Sequence, residues 1–127
     1  MPNKVLIVDD SEPLHQNIKI TLKRYKCEIF SALSREDGVI KLTENPGVSL
    51  IFIDMNMSLS RISGIDFIKK VKEQEAYANI PIVILPMRGR SYSEDAQALA
   101  DVVLAKPFTS NELHSVVEKL FPQAVVA

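Results

Sequence analysis

Lys4-Val5-Leu6-Ile7-Val8-Asp9-Asp10 sets a continuous apolar run against two consecutive acids. Two later stretches share its character, Ser49-Leu50-Ile51-Phe52-Ile53-Asp54 and Ile80-Pro81-Ile82-Val83-Ile84-Leu85. The runs are rich in β-branched residues and too short for helices. They also lack the in-out alternation of a half-exposed sheet, which predicts central strands of a parallel sheet covered on both faces. Cys27 to Ala32 and Val102 to Ala105 are weaker candidates that bring the strands to five.

Between these runs the apolar period becomes helical. Leu14, Ile18, Leu22 and Tyr25 fall on one face, as do Leu113, Val116, Val117 and Leu120 near the end. Ser34 with Asp37, and Thr109 with Glu112, have the spacing of an N-cap and an acidic residue three positions on, predicting helices over 34–44 and 109–121. Gly64 starts another, with Ile65, Ile68 and Val71 inward, and Tyr92, Ala96, Leu99 and Ala100 mark a short fourth between strands. Strand and helix alternate through five repeats, so the expected fold is α/β, a doubly wound parallel five-stranded sheet with right-handed crossovers and helices on both faces. One domain is expected over residues 1–122, with 123–127 a short tail or the start of a linker.

Composition narrows the function. The chain has 127 residues, 46% hydrophobic and 24% charged, the make-up of an ordinary globular domain. Its 15 basic and 16 acidic residues leave a net charge of -1, which argues against direct binding of nucleic acid or an anionic membrane. Single Cys27 has no partner for a disulfide or a zinc site, and no apolar run reaches the length of a membrane span. A cytoplasmic location is the expectation, with Cys27 a small core residue.

In an open α/β sheet the ligand site lies beyond the carboxyl ends of the strands, where strand order reverses. Asp9 and Asp10 end the first strand, Asp54 ends the third, and Lys106-Pro107 follows the fifth. Any one of these acids could be a cap or turn former. Three carboxylates brought together with one ammonium call for a bound cation, and hard oxygen donors suit Mg²⁺.

Val8-Asp9-Asp10-Ser11, Ile53-Asp54-Met55-Asn56-Met57 and Lys106-Pro107-Phe108-Thr109, in that order at those strand ends, resemble the receiver domain of bacterial two-component response regulators. The likeness runs from Lys4 to about Phe121. It implies a flavodoxin-like fold in which Asp54 accepts a phosphoryl group from a histidine kinase or a phosphotransfer protein. It further implies that Asp10, Asp54 and the carbonyl of Asn56 bind Mg²⁺, that Asp9 acts through water, and that Lys106 pairs with a phosphoryl oxygen. A cis peptide before Pro107 is implied as well. Such a domain transfers a phosphoryl group to itself and is not a turnover enzyme.

The departures from the family bear both on the entrance to Asp54 and on downstream switching, which are weighed separately. Pro86 stands where the family carries a hydroxyl residue after the fourth strand, and Met87 replaces a small residue, leaving its backbone N–H for a phosphoryl oxygen. Val103 stands at the aromatic switch position. Pro86 reads equally as a strand terminator needing no ladder N–H, and Val103 as a packed core residue. Ser58 replaces a usual proline, and Leu59 to Ser63 lengthens the path to Gly64. His15 and His114 lack metal-ligand spacing and are expected in surface or partly buried structural roles; Arg61, Arg88 and Arg90 are expected to form a solvated rim.

Three other functions are weighed. A phosphohydrolase with an aspartate nucleophile needs a second acid where Asn56 stands, and an amide cannot donate that proton. A flavin carrier would place its phosphate against Asp9-Asp10-Ser11-Glu12, which repels it. A phosphorylation-independent docking module, keeping the pocket without using it, is the main alternative. The output partner is unspecified, since no DNA-binding or catalytic output domain follows Phe121 in this sequence.

Overall fold

A computed structural model describes residues 3–57, 60–89 and 94–120 of the chain. Five strands, β1 (Asn3–Val8), β2 (Cys27–Ala32), β3 (Val48–Asp54), β4 (Ile82–Leu85) and β5 (Val102–Val103), alternate with α1 (Glu12–Thr21), α2 (Arg35–Glu44), α3 (Gly64–Glu73), α4 (Glu94–Leu99) and α5 (Ser110–Leu120). All pairings are parallel, in the order β2-β1-β3-β4-β5. This is the flavodoxin-like doubly wound arrangement, with β1 and β3 adjacent where the winding reverses.

Alternate residues of each central strand sort into two cores. Val5, Ile7, Leu50, Phe52, Val83 and Leu85 pack with Ile18 and Leu22 and, from α5, Leu113, Val116 and Val117. Leu6, Val8, Ile51, Ile53, Ile82 and Ile84 pack on the other side with Leu42 of α2 and Phe67, Ile68 and Val71 of α3. Strands buried on both sides need no polar face, which is why these runs are continuous rather than alternating. Cys27 is half-buried against the first core, and burial pushes its thiol pKa up.

The caps are formed as the spacing predicts. Ser34 Oγ accepts the Asp37 N–H at 3.0 Å. Thr109 and Glu112 form a reciprocal box, with Glu112 N–H on Thr109 Oγ1 at 3.1 Å and Thr109 N–H on Glu112 Oε1 at 2.9 Å. The helices begin one residue later than the caps, at Arg35 and Ser110. Of the residues expected in the fourth helix, Leu99 and Ala100 pack on the second core, whereas Tyr92 and the Ala96 side chain lie outside the described residues, as do Ser58, Leu59, Arg90 and 121–127.

Two strand bounds differ from expectation. β4 begins at Ile82 because Ile80 N–H turns back to the Tyr77 carbonyl and Pro81 has no N–H to pair. β5 ends at Val103 although pairing continues: Lys106 N–H meets the Pro86 carbonyl at 2.8 Å and Arg88 N–H the Lys106 carbonyl at 2.9 Å. By the two-residue repeat of a parallel ladder, the missing rung is the one from residue 86 N–H to the Leu104 carbonyl. Pro86 therefore closes β4 at Leu85, as a strand terminator does, and pairing resumes beyond it only as the isolated Met87–Lys106 bridge.

Gly38 fixes the distance between α2 and the sheet. A Cβ there would sit 2.9 Å from Val8 Cγ2 and 3.2 Å from Phe67 Cε2. Gly38→Ala gains helix propensity but must push a stiff β-branched neighbour aside, so a net loss of about 1–3 kcal/mol is expected in urea unfolding. A stabilised variant would show that α2 has slack against β1.

Candidate functional site

Register brings the acids together. Val8 pairs with Ile53, so Asp9, one residue beyond β1, lies beside Asp54 at the end of β3. Asp9 is tied to the next strand by its N–H on the Ala32 carbonyl at 3.1 Å. Asp9 and Asp54 are buried and Asp10 is exposed, and one carboxylate oxygen from each lies within 4.8 Å of the others. This set of hard oxygen donors, open to solvent on the Asp10 side, fits a divalent cation such as Mg²⁺.

Lys106 reaches this cluster from beyond β5. Its Nζ lies 3.1 Å from Asp9 Oδ2 and 3.2 Å from Asp54 Oδ1. Burial by itself would lower the lysine pKa, but the two carboxylates outweigh it and hold the ammonium above its ordinary value. Local N–H groups complete the carboxylates: Ser11 N–H donates to Asp9 Oδ1 at 2.8 Å and Asn56 N–H to Asp54 Oδ1 at 3.0 Å. The Lys106–Pro107 peptide is cis, as the resemblance implied.

The loop after β4 departs from expectation. Met87 N–H is not free: it donates to Asn56 Oδ1 at 2.9 Å, because the β3 and β4 loops meet edge to edge above the sheet. A phosphoryl oxygen would have to displace the Asn56 carboxamide to use that N–H. Val103 is 38% exposed, so it is not the packed core residue that was one of its two readings; it stands on the short edge strand. Met87 is exposed and borders an apolar recess of about 390 Å³ with Pro13, Leu14, Lys106, Pro107 and Phe108. Arg61 and Arg88 are exposed, as a solvated rim requires, and Arg88 reaches the Pro107 carbonyl at 3.2 Å.

Two residues of the site carried no local signal in the sequence. His15, expected in a surface or partly buried structural role, is 1% exposed, and its Nε2 lies 2.7 Å from the Asp9 carbonyl. A carbonyl only accepts, so Nε2 carries the proton and pins α1 to the first acid. Arg35 is 3% exposed and donates from Nη2 to the Asp54 carbonyl at 2.9 Å. His114 behaves as expected, partly buried with Nδ1 2.8 Å from Tyr25 Oη.

Asp9 bears the electrostatic cost. Burial and then the Asp54 charge raise its pKa, and the Ser11 N–H and Lys106 only partly offset them. A carboxylate with a raised folded pKa favours folding most below its ordinary value of 3.8 and loses that contribution as pH rises through the folded value. Asp9→Asn is expected to stabilise the metal-free protein at pH 7 by about 1 kcal/mol, the gain fading toward pH 3. Destabilisation at pH 7 would mean that the Lys106 pair outweighs burial and repulsion.

The comparisons agree with this geometry. The family described as response regulator receiver domain matches residues 5–118. Chemotaxis protein CheY1 of Helicobacter pylori is 32% identical over 120 residues, spanning 91% of this chain and 94% of that protein. Protein PilG of Pseudomonas aeruginosa is 24% identical, spanning 94% of this chain and 87% of that protein. The phosphate regulon transcriptional regulatory protein PhoB of Escherichia coli is 30% identical over 98% of this chain but only 56% of its own length. The crystal structure of Vibrio cholerae chemotaxis protein CheY4 superposes with a TM-score of 0.81 at 28% identity, covering 94% of this chain and 99% of that one. With the acidic strand ends, the lysine and the sheet order in register, the chain belongs to the response regulator receiver domain family.

Proposed function

We propose that the chain is a phosphoacceptor receiver in a two-component phosphorelay, taking a phosphoryl group on Asp54 from a histidine kinase or a histidine phosphotransfer protein. The observation that carries this reading is the convergence of Asp9, Asp10 and Asp54 with the Lys106 ammonium already on Asp54. Asp9, Asp10, Asp54 and the Asn56 carbonyl are the groups that would hold Mg²⁺. When bound, that ion neutralises charge on the transferring oxygens.

An oxygen of Asp54 forms the new bond to phosphorus as the P–N bond of the donor phosphohistidine breaks. The bonding pair returns to the imidazole nitrogen, which takes up a proton. Lys106 is placed to leave Asp9 and Asp54 for a phosphoryl oxygen, stabilising charge that Asp54 alone cannot. The Met87 N–H supplies a second donor once Asn56 Oδ1 withdraws. The apolar recess beside Lys106 is open to side chains flanking the donor histidine. The reaction ends on the protein itself, so no turnover of a separate substrate is assigned. The net charge of -1 gives no general pull on nucleic acid, and among the described residues no helix is long and apolar enough to cross a membrane. Residues 1–122 are assigned to the receiver domain and a cytoplasmic location to the protein.

The docking-module alternative draws on a specific feature: the Met87 N–H is engaged by Asn56, no hydroxyl stands at Pro86, and Val103 is an exposed aliphatic residue. Backbone amide NMR with Mg²⁺ and then beryllofluoride separates the two readings. Shifts at Asp9, Asp10, Asp54 to Met57, Met87 and Lys106, with the beryllofluoride step abolished in Asp54→Asn, are expected of a phosphoacceptor. Spread of those shifts into α4 and α5 would show a working output switch, and silence toward beryllofluoride would favour the docking module.

A further inference from the structure

The site contains a second cation that its acidic chemistry did not announce. Arg35, the first residue of α2, is buried, and its guanidinium bridges two carbonyls: Nη2 to Asp54 and Nη1 to Ile62, each at 2.9 Å. Its own N–H donates to Ser60 Oγ at 3.0 Å. The next residue, Glu36, accepts the N–H groups of Arg61 and Ile62 on Oε2 at 2.9 and 2.8 Å. The start of α2 thus grips residues 60–62 from both sides while touching the backbone of Asp54. Gly64 lets α3 close over this grip, since a Cβ there would meet Met55 Sδ at 2.8 Å and Arg35 Nη2 at 3.4 Å.

Bridging two carbonyls does not require a full charge, and burying one is expensive. Among the described residues no carboxylate comes within ion-pair distance of the guanidinium, and Nε is buried without a partner. The charge is therefore not consumed in a contact pair. It acts on the groups around it: Asp54 and Asp10, which belong to the acidic cluster, and Glu36. With Lys106, Arg35 leaves the three carboxylates one net negative charge instead of two.

We propose that Arg35 is a positioning residue that serves as a resident counterion of the phosphoacceptor site, fixing the Asp54 carbonyl to the 60–62 loop and weakening divalent-cation binding by its charge. The inference rests on the reading that this cluster takes a divalent cation. A structural strut and a resident cation differ in sign. Loss of a strut loosens the ligands and weakens metal binding, whereas loss of a resident cation strengthens it.

Mg²⁺ titrations of the unmodified protein, Arg35→Gln and Arg35→Lys, followed by backbone amide shifts, decide between them. Arg35→Gln should bind Mg²⁺ about five-fold more tightly. Arg35→Lys, which keeps the charge and loses the fork, should stay within about two-fold of the unmodified protein. Equal or weaker binding by Arg35→Gln, or equal tightening by both variants, overturns the proposal, and the phosphoacceptor reading stands if the unmodified protein binds. A response from Arg35→Gln alone is the predicted tightening taken further, with the unmodified site too weak to respond in the range titrated, and supports the proposal; silence from all three overturns both it and the metal-dependent reading. If the variants do not fold, the guanidinium ¹⁵N resonances of Arg35 in the unmodified protein should shift as Mg²⁺ is added, and their standing still overturns the proposal.

Discussion

One ammonium, that of Lys106, lies between two buried carboxylates contributed by adjacent strands. Without it, Asp9 and Asp54 would face each other in a region of low dielectric, an arrangement whose repulsion opposes folding. The parallel sheet makes the meeting unavoidable, because the β1 and β3 register sets the residues after Val8 and Ile53 side by side. Four further contacts hold that pair in place. Ser11 and Asn56 N–H groups each take a carboxylate oxygen, and His15 and Arg35 take the two carbonyls behind them. The site is thus held from both sides, by side chain in front and by backbone behind, and it accepts an electrostatic cost that a structural core would avoid.

Much of this was legible in the sequence because the signals are local. Apolar runs four to six residues long give strands, two of them with an acid marking the carboxyl end, and the Thr109 and Glu112 spacing gives a capping box that forms reciprocally. Asp9, Asp10, Asp54 and Lys106 fall at strand ends, so the doubly wound topology alone brings them together. Arg35 and His15 escaped for the opposite reason. Each is a polar residue within a helix, and its burial depends on carbonyls far along the chain or above the helix start, which no periodicity encodes. The Met87 to Asn56 hydrogen bond likewise exists only because two loops meet.

The β4 side of the site shows how one residue reshapes a neighbourhood. Pro86 is buried, cannot donate to the Leu104 carbonyl, and still accepts the Lys106 N–H, so the lysine stays in register while the ladder loses a rung beside it. No side-chain hydroxyl is available there to meet an incoming group. The neighbouring Met87 N–H is the remaining donor, and it rests on Asn56. On the proposed reading, a site built this way would separate phosphoryl acceptance, assigned to Asp54, Lys106 and the acids, from any movement of β5, whose Val103 is exposed.

Chemical trapping of the acyl phosphate tests the central claim most directly. The chain is phosphorylated by a phosphohistidine donor protein or by acetyl phosphate with Mg²⁺, reduced with borohydride, and mapped by peptide mass spectrometry. The expected result is homoserine at position 54 alone, absent without Mg²⁺ and absent in Asp54→Asn. No reduced residue under conditions where the donor keeps its label, or reduction at Asp9 or Asp10 instead, would contradict the assignment of Asp54 as the phosphoacceptor.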